Sequence, residues 1–217
     1  MNGVDTGGYD IKFRPSHDEH IRFSTMVFKA TGLDKAFVVM VRERRMTSLA
    51  AEQTLRAHVI NINACDGMGR SALHWAVLHG DISLATVLIH HGARAALRDA
   101  LGDSSVHVCV RHGTPALLEV LMHDRWWWLD INLPRGGQYS TDKTVIMSAI
   151  TAECDAQHLY HIVRLLLEWC DSIDLSLTYR GLDACDWSTM RNTAEVRNMI
   201  HQYRRWSARK KFIGCFV

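Results

Sequence analysis

Histidine and cysteine side chains form the one group in this 217-residue chain that is reminiscent of a metal site. His107, Cys109 and His112 lie within six residues of one another, and His17 and His20 are also close in sequence. A structural zinc site needs two close pairs of ligands on facing elements, and the 107–112 cluster has no evident second half. We therefore predict that no residue binds a metal.

Paired carboxylates are the second pattern with a possible chemical role. Asp99 and Asp103 are close enough in sequence for acid–base work. Both fall in a predicted hairpin tip, where we expect them to be solvated. The chain has no nucleophile elbow, phosphate-binding glycine loop, kinase signature or metalloprotease helix. The sequence predicts no catalytic residue, no cofactor and no enzymatic activity.

An internal repeat sets the elements that carry these residues. After 33 positions, Asp66, Gly69, His74, Gly80 and Leu88 return as Asp99, Gly102, His107, Gly113 and Leu121. A period near 33 residues is typical of stacked helix pairs, in which neighbouring units build a shared core.

Each unit reads as two short helices. Apolar residues at helical spacing give the predicted buried faces: Leu73, Ala76 and Val77, then Leu84, Val87 and Leu88, and in the next unit Val106, Val108 and Val110, then Leu117, Leu118 and Leu121. Gly80 and Gly92 are predicted to end the two helices of the first of these units.

The segment from Gly69 to Ala76, followed by Gly80, is similar to the ankyrin-repeat pattern Gly-x-Thr-Pro-Leu-His-x-Ala-Ala. Here Ser71 replaces the threonine and Ala72 the proline, and in the next unit we assign Val106 to the proline position. The resemblance implies an all-α ankyrin-repeat solenoid of stacked antiparallel helix pairs with short hairpin loops. It also implies that His74 and His107 hydrogen-bond backbone groups across unit junctions, and it puts Asp186 at the histidine position of the last unit.

The predicted repeat domain covers residues 33–203. Its units are 33–65, 66–98, 99–132, 133–177 and 178–203, and the first is an amino-terminal cap that should turn a polar face to solvent. Residues 1–32 form an arm with a short helix, in which Ser16 to Glu19 is a capping box ahead of Ile21, Phe23 and Val27. Residues 204–217 form a basic and apolar tail.

The resemblance implies partner contacts through hairpin tips and the exposed side of each first helix. The corresponding residues are Met68, Arg70, Leu78, His79, Leu101, Asp103, Arg111 and His112; the alternative is that only part of this surface is used. Trp126, Trp127 and Trp128 interrupt the repeat, and we predict at least one of them to be an exposed interface anchor. The alternative is that the insertion folds over a neighbouring unit.

The carboxyl-terminal segment is basic. Arg204, Arg205, Arg209, Lys210 and Lys211 are predicted contacts for nucleic acid or an anionic surface, or else a solvated helix end whose apolar tail packs on the stack. Two functions follow. The leading hypothesis is a non-enzymatic protein-interaction module, an adaptor or structural subunit of an assembly. The alternative is a nucleic-acid or ribonucleoprotein component.

Composition fits a soluble globular protein, with 47% hydrophobic and 22% charged residues and a formal charge of +2. No apolar run reaches the roughly 20 residues that span a bilayer. The six cysteines include no Cys-x-x-Cys pair, which favours free thiols in a reducing compartment. We expect a cytoplasmic location, with nucleus and organelles left open, and no small-molecule substrate.

Overall fold

Ten helices make up most of the chain described by the computed structural model, namely residues 32–112, 114–123, 131–132, 143–170 and 173–213. They are α1 (Gly32–Arg42), α2 (Ser48–Ala57), α3 (Ala72–His79), α4 (Ile82–His90), α5 (Ser105–His112), α6 (Pro115–Met122), α7 (Val145–Ile150), α8 (Ala156–Trp169), α9 (Ala184–Met190) and α10 (Ala194–Ile213). Strands are absent from these ranges, where three isolated antiparallel bridges precede α3, α5 and α9. The predicted helical class is confirmed.

The helices lie in two layers. In one layer α1 contacts α3, α3 contacts α5, α5 contacts α7 and α7 contacts α9. In the other, α2, α4, α6, α8 and α10 contact one another in the same consecutive way. Contacts between α3 and α4, α5 and α6, α7 and α8, and α9 and α10 join the layers. A helix inside a layer therefore has a neighbour on each side and another across the layers.

Side-chain caps and glycine fix the helix ends. Thr47, Asp81, Thr144 and Asp155 each accept a hydrogen bond from the backbone N–H of the third helical residue of α2, α4, α7 and α8. Gly80 ends α3 with φ 71°, the left-handed conformation predicted for it. These local signals limit α3 and α4 to about two turns each.

The apolar faces read from the sequence are buried. Exposed fractions are 2% or less for Leu73, Ala76, Val77, Leu84 and Leu88, and 3% or less for Val106, Val108, Val110, Leu117, Leu118 and Leu121. Helix α3 goes further and buries every residue from Ala72 to Val77, including His74 and Trp75. It lies between α1 and α5 with α4 across the layers, so no side of its first two turns remains open.

The second unit has a register that differs from our assignment. Helix α3 begins at Ala72 and α5 begins at Ser105, which lies 33 residues later. Ser105 therefore occupies the proline position, and Val106 is the counterpart of Leu73. The assignment of Val106 to the proline position is wrong by one residue, because the helix start rather than the chemical likeness of the side chains fixes the register.

Helix α1 does not present the polar face expected of a cap. Phe37, Val38 and Val41 point into the core, but Leu33 is 59% and Met40 is 41% exposed. Ala36 is exposed between them. Residues 33, 36 and 40 share one side of a helix, so the free side of α1 carries an apolar stripe.

Asparagine side chains link consecutive units in spite of length differences. Asn63 Oδ1 accepts from the Arg94 backbone N–H at 2.9 Å, over 31 residues of sequence. Asn132 Oδ1 accepts from the Asp174 backbone N–H at 2.7 Å, over 42 residues. The longer third unit therefore keeps the same polar link.

The last helix pair keeps the local pattern and runs past the predicted domain end. Asp186 Oδ2 accepts from the Asp183 backbone N–H at 3.1 Å, which is the capping role of a residue at the histidine position. Helix α10 continues through residue 203 to Ile213. The boundaries assigned to the five units remain predictions. None of the helices described above is long and apolar enough to cross a bilayer.

Gly69 tests the close approach of successive turns. A Cβ at Gly69, where φ is 72°, lies 3.0 Å from the Ala100 nitrogen, whereas Gly80 has a similar φ of 71° and nothing within 4 Å. We expect Gly80→Ala to cost about 1 kcal/mol of unfolding free energy from backbone strain. Gly69→Ala should cost about 2–3 kcal/mol, because strain and contact with backbone combine. Urea denaturation measures both, and equal losses would contradict the close approach.

Candidate interaction surface

The turns before α3 and α5 are built by one aspartate each. Asp66 Oδ1 accepts from the backbone N–H of Met68 at 2.9 Å and of Arg70 at 3.0 Å. Asp99 Oδ1 accepts from the N–H of Leu101 and of Asp103, both at 2.9 Å. Each carboxylate thus stabilises the tip of its own turn. The 33-residue repeat is therefore also a repeat of turn geometry.

Direct bonds join the two turns. The Ala100 backbone N–H donates to the Met68 carbonyl at 2.9 Å. Arg70 Nε donates to Asp99 Oδ2 at 3.1 Å, with the Asp99 side chain only 1% exposed. The Arg70 guanidinium also lies 5.0 Å from the centroid of the Trp75 ring. The tips form a continuous, bonded strip.

Trp75 secures the base of this strip. Its Nε1 donates to Asp66 Oδ2 at 2.9 Å, so one carboxylate serves both the turn and the helix that follows. The ring is buried at 8% exposed. Burial of an indole with its N–H satisfied contributes stability without an unpaired polar group.

Apolar side chains project from the tips. Met68 is 48% and Leu101 is 40% exposed, and the two residues occupy equivalent positions in successive turns. Ala100 lies exposed between them in the chain of bonds that joins the tips. The predicted tip positions are thus brought together as a small apolar surface on an ordered backbone.

Asp99 and Asp103 are buried, which corrects the expectation that they are solvated. Asp99 is 7% and Asp103 is 0% exposed. Arg111 Nη2 lies 2.8 Å from Asp103 Oδ2. The sequence concealed this because the cationic partners lie one helix away in each case. Asp103 has no exposed side-chain surface to offer a partner, and Arg111 is the exposed member of that pair.

The carboxyl-terminal ends of α3 and α5 present the other predicted contacts. Leu78, His79 and Arg111 are half-buried, and His112 is exposed. Partial burial lowers the pKa of His79, and the nearby Arg44 charge lowers it further. Burial and the adjacent Arg111 charge lower the pKa of His112. Both imidazoles are therefore neutral at pH 7, and the fixed positive charges here belong to arginines.

His74 is a structural histidine. Its Nδ1 accepts from the Ser71 backbone N–H at 3.2 Å, and its Nε2 lies 3.2 Å from the Asp103 carbonyl oxygen, to which it donates. This bond crosses the unit junction, as the resemblance implied. His107 repeats the local part of the arrangement, with Nδ1 2.8 Å from the Ser104 hydroxyl.

The cluster considered as a metal site has other roles. Burial raises the pKa of Cys109 to about 12, so its thiol is protonated at neutral pH. Its Sγ lies 3.5 Å from the Thr114 carbonyl oxygen. Over the described residues, no group of three or more His, Cys, Asp and Glu side chains is arranged to hold a metal ion. His17 and His20 lie outside those residues.

The basic segment is only partly available to a partner. Arg204 Nη2 donates to Asp183 Oδ2 at 2.7 Å and to the Leu175 carbonyl at 2.8 Å, so Arg204 is engaged within the fold. Arg205 is exposed, and Trp206 beside it is 45% exposed. Trp126, Trp127 and Trp128 lie outside the described residues, as do the side chains of Arg209, Lys210 and Lys211.

Two junction residues have no counterpart in the sequence reasoning. Arg191 donates to the Ile150 carbonyl at 2.7 Å and to the Cys154 carbonyl at 2.6 Å, which satisfies acceptors at the end of α7. The Tyr203 hydroxyl donates to the Cys170 carbonyl at 2.7 Å and accepts from the Ile173 N–H at 3.2 Å. A lone arginine or tyrosine carries no periodic signal, so only the three-dimensional contacts identify these roles.

Comparison with protein families agrees with this geometry. Residues 47–89, which include α2, α3 and most of α4, match the family model described as ankyrin repeats (many copies). The chain therefore contains ankyrin repeats, and the resemblance read from the motif at Gly69 is confirmed. Ankyrin repeats generally mediate protein–protein interaction and are typically non-catalytic. No curated protein matches the chain.

Removal of the His74 imidazole should weaken the junction between units. We expect His74→Ala to lower the free energy of unfolding by about 1–3 kcal/mol, because Ser71 N–H and the Asp103 carbonyl lose a buried partner. His58→Ala is the matched control, since His58 is exposed and should change stability by less than about 0.5 kcal/mol. Equal effects of the two substitutions in urea denaturation would disprove the junction role.

Stability should also depend on pH through His74. Burial lowers the pKa of His74, so the unfolded chain takes up a proton near pH 6.5 before the folded chain does. The stability due to neutral His74 is fully present above about pH 6.5 and is lost as pH falls below it. The difference in unfolding free energy between wild type and His74→Ala should therefore shrink between pH 7.5 and pH 5. A difference independent of pH would contradict this account.

Proposed function

We propose that this chain is a non-enzymatic protein-interaction module and acts as an adaptor or structural subunit of a larger assembly. The observation that carries the proposal is the bonded strip of hairpin tips with Met68 and Leu101 exposed on it. An ordered backbone that presents apolar side chains binds without a large cost in conformational entropy. The wider set of contacts comprises Arg70, Leu78, His79, Arg111 and His112.

We further propose that the helix pairs form an ankyrin solenoid. Two observations support this arrangement: equivalent helices contact one another consecutively in each layer, and the starts of α3 and α5 are 33 residues apart. In such a stack the tips project along one edge and the ends of α3 and α5 line the adjoining surface. The tryptophans at 126–128 remain a predicted extension of that surface.

The described cysteines suit a reducing location. Cys65, Cys109, Cys154, Cys170 and Cys185 are all free thiols. We therefore propose an intracellular setting, with the cytoplasm as the first place to look for partners.

Charge substitution at the tips tests the interaction surface. Immobilised wild-type protein, Met68→Asp/Leu101→Asp and Ile82→Asp are each exposed to native extract, and bound proteins are quantified. Ile82 is the control because it is 43% exposed but lies at the far end of α3, about 12 Å along the helix from the tips. We expect at least one captured protein to fall by about 10-fold or more with the double variant, since a buried charge at an interface costs over 1.4 kcal/mol.

Capture that is the same for all three proteins would overturn the tip surface as the binding site. Loss of capture with Ile82→Asp as well would also overturn it, because that substitution leaves the tips unchanged. Thermal unfolding of the variants checks that all three are folded.

The alternative is a nucleic-acid or ribonucleoprotein component that binds through α10. Support comes from the course of α10 over residues 204–211 and from exposed Arg205 and Trp206, a cation and an aromatic side by side. Binding of a labelled single-stranded RNA that weakens steeply with salt and is lost in Arg205→Ala/Trp206→Ala favours this function. Binding insensitive to these changes excludes it.

A further inference from the structure

Helix α1 ends its layer with an uncovered apolar side. Leu33, Ala36 and Met40 follow one another at spacings of three and four residues, and Leu33 and Met40 are 59% and 41% exposed. The stripe is about 10 Å long at 1.5 Å per residue. No described helix lies on that side of α1, whereas α3, α5 and α7 each have a neighbour on both sides.

The orientation of α1 is fixed by its other contacts. Asp34 is 3% exposed, and its Oδ1 accepts from the Asn61 backbone N–H at 2.8 Å. Phe37, Val38 and Val41 lie in the core. Rotation of α1 to hide the stripe would break this bond and expose those side chains, so another segment must cover it if it is to be covered.

We propose that residues 16–30 of the same chain form a helix that packs antiparallel on this stripe. They precede α1 directly, separated from it only by Thr31, and Gly32 begins α1. Short connections of this kind join the antiparallel helices of an αα-hairpin. Ser16 and Glu19 supply the capping box at the start, and Phe23, Val27 and Ala30 repeat at spacings of four and three residues.

The register of the two stripes agrees residue by residue. For a hairpin that reverses between Thr31 and Gly32, residues equidistant from the turn face each other. Ala30 then meets Leu33, Val27 meets Ala36, and Phe23 meets Met40. The small residue of each helix faces a larger one of the other, which permits close packing. The same register puts Glu19 opposite exposed Arg44, a favourable pair of charges.

The size of the stripe favours this occupant over a second copy of the chain. A stable interface between proteins takes about 20–30 residues from each side. Three residues on one helix are far fewer. A segment already attached to α1 needs no such area, because its attachment removes the cost of bringing two molecules together.

Hydrogen exchange of the full chain tests the proposal. Backbone amides of residues 20–30 should exchange at least about 10-fold more slowly than those of residues 2–10 in wild type. In Leu33→Asp/Met40→Asp they should exchange as fast as residues 2–10, since two carboxylates replace the apolar stripe. Leu49→Asp/Val59→Asp is the matched control, because Leu49 is 67% and Val59 is 103% exposed away from the stripe.

A reciprocal variant guards against loss of fold. Phe23→Asp/Val27→Asp changes only the covering segment, and it should release residues 20–30 while leaving exchange in α3 to α10 unchanged. Fast exchange of residues 20–30 in wild type, or slow exchange that survives both stripe variants, would overturn the proposal. Slow exchange that depends on protein concentration, with elution as a dimer, would overturn it in favour of a second copy.

Discussion

A helix pair of this chain has more apolar surface than it can bury by itself, and this constraint governs the rest of the structure. Helix α3 has six consecutive buried residues, Ala72 to Val77, which is possible only with α1 and α5 on either side and α4 across the layers. Burial of that kind is worth about 25 cal/mol for each Å² of apolar surface removed from water. Each unit therefore depends on its neighbours, and a unit at an end of a layer leaves part of its surface open.

Polar bonds then fix how neighbouring units sit. Gly69 lets the Asp99–Ala100 backbone approach closely, and Arg70 reaches the Asp99 carboxylate in that space. His74 and Asn63 bond backbone groups of the following unit. These bonds are directional, so they set the positions of the tips more narrowly than apolar packing can. The exposed Met68 and Leu101 owe their fixed placement to groups buried beneath them.

The recurrent motif made the central part of the molecule predictable. Helix faces, the turn glycines and the junction role of His74 all follow from short-range patterns that appear twice, at residues 66–88 and 99–121. Prediction was weaker where an outcome depends on a distant residue. Asp103 reads as a solvated turn residue until Arg111 is placed beside it, and Arg204 reads as a free cation until Asp183 and Leu175 are seen to hold it. Likewise, Leu33 and Met40 resemble core residues in sequence, although α1 leaves them open.

The sequence by itself determined the helical class, the ankyrin-like period, the helix ends and the apolar faces, because each depends on residues within a turn or two of one another. The tertiary structure alone decided which charges are paired, which apolar side chains remain exposed, and that α10 crosses residue 203 to Ile213. Charge pairing and exposure depend on which helices become neighbours. A carboxylate, an arginine or a leucine has the same local pattern whether or not another helix covers it.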